Sequence, residues 1–74
     1  MNIDNLVHMA NSIGDFFAAM PDHTRAVADV AGHISRSWEP RMRKALLAHV
    51  DQEGGPGLSE IVREALAAHR AMLE

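Results

Sequence analysis

Apolar residues recur at three- and four-residue spacing along the whole chain, and no segment alternates with period two. The pattern predicts four helices and no strands. Helix one is expected from about Asn2 to Ala19, with Asp4 in its first turn, where a carboxylate suits the helix dipole. Met20-Pro21-Asp22 ends it, because a residue before proline avoids the helical region. Helix two is expected from Asp22–Thr24 to about Ser37. Helix three starts at Pro40, which is tolerated at a first helical position, and stops at Glu53-Gly54-Gly55-Pro56-Gly57. Helix four is expected from Ser59, as N-cap, to about Met72, with Glu60 in its first turn.

Placing successive residues 100° apart shows which faces are apolar. Helix two carries a narrow stripe of Val27, Val30, Ala31, Ile34 and Trp38, opposite Arg25, Asp29 and Arg36, as expected of a surface helix in a bundle. Helix one is wider: Ile3, Leu6, Val7, Ala10, Ile13 and Phe17 form its body. Met9 and Phe16 lie off one edge, seven residues apart, and can face something other than the core. Helix three places Met42, Leu46, Leu47, His49 and Val50 on one arc with Arg43 inside it. Helix four carries Leu58, Ile61, Val62, Ala65, Leu66, Ala68, Met72 and Leu73, with His69 near the middle. The expected fold is therefore all-α, a small bundle of four short helices in a single domain over residues 1–74.

An apolar share of 47% is that of a globular chain, but 74 residues build only a small core. There is no cysteine, which removes disulfides and thiolate metal sites. A small chain without such staples leans toward a reducing compartment or an obligate partner. The longest purely apolar run is Phe16 to Met20, too short for a membrane span or an export signal, and a cytoplasmic location is expected. The net charge of −3 does not favour nucleic acid. Charge is uneven, however: residues 1–24 hold Asp4, Asp15 and Asp22 and no Lys or Arg, whereas residues 33–49 hold Arg36, Arg41, Arg43 and Lys44 against Glu39.

Catalytic constellations are missing from the pattern. The serines lack a glycine elbow, and Asp51 with Glu53 sits at a helix end beside a glycine loop, more like a turn than a carboxylate dyad. None of His8, His23, His33, His49 and His69 is three or four residues from another, so no helix turn presents a ligand pair. His69, on an apolar arc, reads as a satisfied core histidine. The glycine run is followed by a helix, but no strand precedes it and no lysine follows, which makes it a connector and not a phosphate loop. Gly32 falls mid-helix, where it costs about 1 kcal/mol relative to alanine; close approach of another backbone or simple tolerance explains it.

The segment Trp38-Glu39-Pro40-Arg41-Met42-Arg43-Lys44 breaks a local rule: basic residues at a helix N-terminus oppose the macrodipole. Trp38 can be a corner-filling core residue, an interface anchor, or both if its ring is buried and its indole N–H reaches outward. Read this way, Trp38, Pro40, Arg41, Arg43 and Lys44, with Met9 and Phe16 as an apolar flank, are the candidate partner-binding residues, and Arg41 and Arg43 are expected to meet an acidic surface.

The same segment, together with Met9-Ala10-Asn11 and Ile13, Phe16-Phe17, Leu46-Leu47 and Ile61-Val62-Arg63-Glu64-Ala65, resembles the delta subunit of NAD-dependent formate dehydrogenases over roughly Leu6 to Arg70. The family pattern has Asp where Glu39 stands, and glutamate is a poorer N-cap. The resemblance implies a non-catalytic accessory subunit that docks on the large subunit and supports assembly or stability of the active complex. It also implies that the bis-molybdopterin guanine dinucleotide, with molybdenum or tungsten, the iron–sulfur clusters, FMN and NAD belong to other subunits, with no cofactor on this chain. Two rival readings stand beside it. Helix two, a short turn and a basic helix three outline a helix-turn-helix DNA-binding protein, and the wide apolar arcs of helices one and four permit an independent homodimeric bundle.

Overall fold

The computed structural model describes residues 2–74. Among them are five helices and no strand: α1 (Ile3–Ala18), α2 (His23–Ser37), α3 (Pro40–Glu53), α4 (Glu60–Ala68) and α5 (Arg70–Leu73). The first three match the expected helices to within a residue or two. The fourth does not run through to Met72. It breaks at His69, whose backbone (φ −122°, ψ 32°) leaves the helical region, and the chain resumes as the single turn α5. His69 is half-buried at that junction, and the histidine that enters the core is His49, at 8% exposure.

Local chemistry accounts for the boundaries. The Asn2 side chain accepts from the Asp4 N–H and Asp22 accepts from the Arg25 N–H, so α1 and α2 each have an oxygen on an orphan donor. Glu39 makes no such bond at the start of α3, in keeping with its poor capping chemistry. Ser59 occupies the N-cap position of α4, but its hydroxyl does not cap; instead its own N–H donates to Asn11 Oδ1 at 2.9 Å. Gly54 ends α3 in the left-handed region (φ 80°), with its N–H on Val50 O, the single bond of a left-handed cap, and the Gly55 N–H on His49 O; a side chain at Gly54 would strain this closure.

The core is one cluster. Leu6 and Ala10 of α1 meet Ala26, Val27, Val30, Ala31 and Ile34 of α2, Leu46 and Leu47 of α3, and Ile61, Val62, Ala65 and Leu66 of α4. Trp38 fills the α2–α3 corner at 5% exposure, and Leu73 closes the bottom at 1%. Gly14 lets α1 and α4 approach: a Cβ there would stand 2.8 Å from Val62 Cγ2 and 3.0 Å from Ile61 Cγ2. Gly32 has no other backbone near it; the space above it holds the guanidinium of Arg36, so of its two readings the close-approach one fails.

Candidate functional site

Two regions hold the candidate residues, and the structure keeps their depressions apart. The first is the α2–α3 corner. Trp38 is buried there and Pro40 is exposed at the first position of α3. Arg41 projects into solvent, 81% exposed, with Glu39 at 3.9 Å as its nearest carboxylate. Lys44 is exposed and lines a shallow depression with Leu47, Asp51, Arg70 and Glu74.

Arg43 is placed differently from expectation. Its guanidinium turns inward and donates to three carbonyls: Trp38 O at 2.7 Å, Leu73 O at 3.2 Å and Ser35 O at 3.3 Å. These belong to the C-terminal ends of α2 and α5, where carbonyls lack intrahelical partners and the dipole is negative. The rule that Arg43 breaks at the start of α3 is thus compensated by two neighbouring helix ends. Its part-buried side chain is a fold determinant, not an element of a free basic patch. Trp38, sealed in the corner, belongs with it.

The second region is the outer face of α1. Phe16 is 74% exposed and Met9 42%. Phe16 stands edge-on to Phe17 with ring centroids 5.0 Å apart, and Phe17 is half-buried against the core and His33. Ser12, Ile13, Phe16, Phe17 and His33 line an open groove of about 320 Å³ between α1 and α2. Met9 and Phe16 lie together here, seven residues apart on one stripe, but no residue of the α2–α3 corner lines the groove.

The remaining polar chemistry holds the fold. The glycine connector is clasped from three sides. Arg63 donates to Gly54 O, Gly55 O and Leu58 O at 2.8, 2.7 and 3.1 Å. Asn11 donates through Nδ2 to Gly57 O at 2.9 Å while its Oδ1 takes the Ser59 N–H. His49 Nε2 lies 2.9 Å from Pro56 O, which fixes the ring proton on Nε2 because a carbonyl only accepts. Sequence reasoning named Asn11 and Arg63 only as parts of a recognisable motif; their loop-clasping role had no local signal, since each partner is distant or emerges only once the loop is folded. At the other end Arg70 grips Asp51 through two bonds and reaches Glu74 at 3.1 Å. The bond from Arg70 holds the Asp51 carboxyl below its ordinary range against a desolvation that would raise it, and Asp51 and then Glu74 raise Arg70 in turn. His23 meets Glu64 at 2.8 Å across α2 and α4.

No group of three or more His, Cys, Asp or Glu side chains gathers among the described residues in a way that could hold a metal ion. No helix of the described residues is long and apolar enough to cross a membrane. The fold and its surfaces therefore define a small all-helical protein whose polar side chains staple helix ends and one loop, with two of its exposed large apolar side chains, Met9 and Phe16, on α1 and a third, Met72, on α5. Over residues 5–66 the chain matches the family model of the NADH-dependent formate dehydrogenase delta subunit, FdsD, and it belongs to that family. Comparison with curated proteins and with solved structures finds no match.

Proposed function

We propose that this chain is a non-catalytic accessory subunit that docks on the large, molybdopterin-containing subunit of a cytoplasmic NAD-dependent formate dehydrogenase and supports assembly or stability of the active complex. Membership of the delta-subunit family supports a partner complex, and the observation that carries the docking role is Phe16. A phenylalanine 74% exposed, on one stripe of α1 with the 42% exposed Met9, is a residue type enriched in the cores of protein interfaces. The residues that carry this contact are Met9 and Phe16 on α1; Pro40, Arg41 and Lys44 are exposed at the separate α2–α3 corner, whose shape Trp38 and Arg43 hold.

In this reading the chain supplies binding energy and no bond-making step. The molybdenum or tungsten bis-pterin cofactor, iron–sulfur clusters, FMN and NAD lie on the other subunits and supply the electron-transfer chemistry there. The test is co-expression of this chain, tagged, with the remaining dehydrogenase subunits, followed by native mass spectrometry of what the tag retains. Recovery of a complex containing the large subunit is expected. Recovery of this chain alone, beside an assembled dehydrogenase in the flow-through, would refute the reading.

A further inference from the structure

Asn5, Met9, Ser12, Phe16 and Ala19 are all exposed on α1 or at its end, and they follow one another at spacings of four, three, four and three. That alternation keeps side chains in register with a second helix packed alongside, as the apolar seam of a coiled coil does. On a helical projection the five occupy an arc of about 80°, next to the buried arc and distinct from it. None of them is charged. The groove of about 320 Å³ beside Phe16, walled by Ile13, Phe17 and His33, gives the seam a socket for an incoming side chain.

The flank of the seam is as informative. Beyond Ser12 and Ala19 the next positions around the helix are His8, Asp15 and Asp4. Asp4 sits in the first turn, where its own helix favours it. Asp15 sits in the last turn, where negative charge opposes the dipole; that turn holds no basic residue, and Asp15 has no ion pair among the described residues. Its charge has no internal use. It lies beside the most exposed aromatic side chain of the protein.

We infer that the Met9–Ser12–Phe16 face of α1 is the docking surface, and that its occupant is an amphipathic partner helix with an apolar seam and Lys or Arg on the flank that meets Asp15. Charge selects this occupant over a second copy. Residues 1–24 contain three aspartates and neither Lys nor Arg, so two such faces laid together would set acid against acid. The inference rests on the docking reading above and assigns it a face and a partner chemistry opposite in sign to the acidic surface expected from Arg41.

The experiment is retention of the tagged large subunit's complex with Phe16→Asp, Asp15→Lys and, as a contrast, the Arg41→Glu, Lys44→Glu double variant. Phe16→Asp and Asp15→Lys should each lower recovery of this chain by roughly tenfold or more, as loss of an anchor or reversal of a charge pair does. The double variant should be retained. Melting of each isolated variant separates binding from folding: Asp15→Lys relieves the unfavourable dipole contact and should melt no lower than wild type. Failure of wild type to be retained would refute the docking reading and this inference with it. Retention of wild type and both α1 variants alike would refute this inference alone, as would loss of only the double variant. A dimer of the isolated chain in sedimentation at about 100 μM, dissolved by Phe16→Asp, would make a second copy the occupant and overturn the partner assigned here.

Discussion

Arg43→Ala tests whether a charge at the start of a helix can serve the ends of two others. The substitution removes one short charged hydrogen bond, to Trp38 O at 2.7 Å, and two long ones, to Leu73 O at 3.2 Å and Ser35 O at 3.3 Å. A bond from a charged donor is worth about 1.5–3 kcal/mol, and the two long bonds add about 0.5 kcal/mol each. Relief of the dipole penalty at the start of α3 returns roughly 0.3–1 kcal/mol. The net loss is about 1.5–3.5 kcal/mol. A domain of this size has on the order of 4–11 kcal/mol of stability, so the change is large. At roughly 4–8 °C per kcal/mol, thermal melting by circular dichroism should fall by about 6–28 °C. Arg43→Lys should fall between the two, because a single ammonium keeps the charge but cannot reach carbonyls set apart around a planar fork. Urea titration of the isolated proteins should give the same order. Melting of Arg43→Ala within about 2 °C of wild type would refute the account.

Two glycines should respond with opposite signs. Gly14→Ala drives a Cβ to 2.8 Å from the buried Val62, an overpacking of about 1–3 kcal/mol that exceeds the helix gain of about 1, whereas Gly32→Ala meets only the mobile end of Arg36 and should raise the melting temperature by a few degrees. Leu73→Ala, at a site 1% exposed, should cost about 2–5 kcal/mol in a urea titration although Leu73 lies beyond the family-matched residues. Asp51 is held below the ordinary carboxylate range in the fold by Arg70, so its contribution is present above the unfolded value and fades as pH falls below about 4. Wild type should therefore be more stable than Asp51→Asn at pH 7, and the difference should shrink progressively as pH falls below about 4 in paired urea titrations; a difference unchanged by pH would refute it.

The helices were legible because their signals are local. Pro40 and Gly54 mark the ends of α3, Pro21 closes the first connection, and the three- and four-residue spacing of Val27, Val30, Ala31 and Ile34 fixes the buried face of α2. The break at His69 was not legible, since nothing from Ser59 to Met72 disfavours a helix locally. It follows from tertiary contacts: the Arg43 and Ser35 side chains take hold of the Leu73 and Met72 carbonyls, and Arg70 takes hold of Asp51. The candidate site was legible in half. An exposed phenylalanine at the edge of a wide apolar arc is a statement about one helix, and Phe16 stands where that reading puts it. The arginine at the start of α3 marked a real exception to the dipole rule, but the sequence does not show which acceptors lie across the corner.

The destination of Arg43 bears on how so short a chain divides its residues between folding and binding. With no cysteine, the polar staples are side chains that reach across: Arg43 to α2 and α5, Arg63 and Asn11 to the glycine connector, His49 to Pro56, Arg70 to Asp51. All of them act on the inner side or the ends of the bundle. The outer face of α1 takes no part. Between Asn5 and Ala19 its exposed seam makes one side-chain hydrogen bond, from Ser12 to His8 O within the same helix, and no ion pair. A seam that contributes so little to its own fold can be changed at Phe16 or Asp15 without unfolding the protein, and for that reason the effect of such changes on complex formation reports binding and not stability.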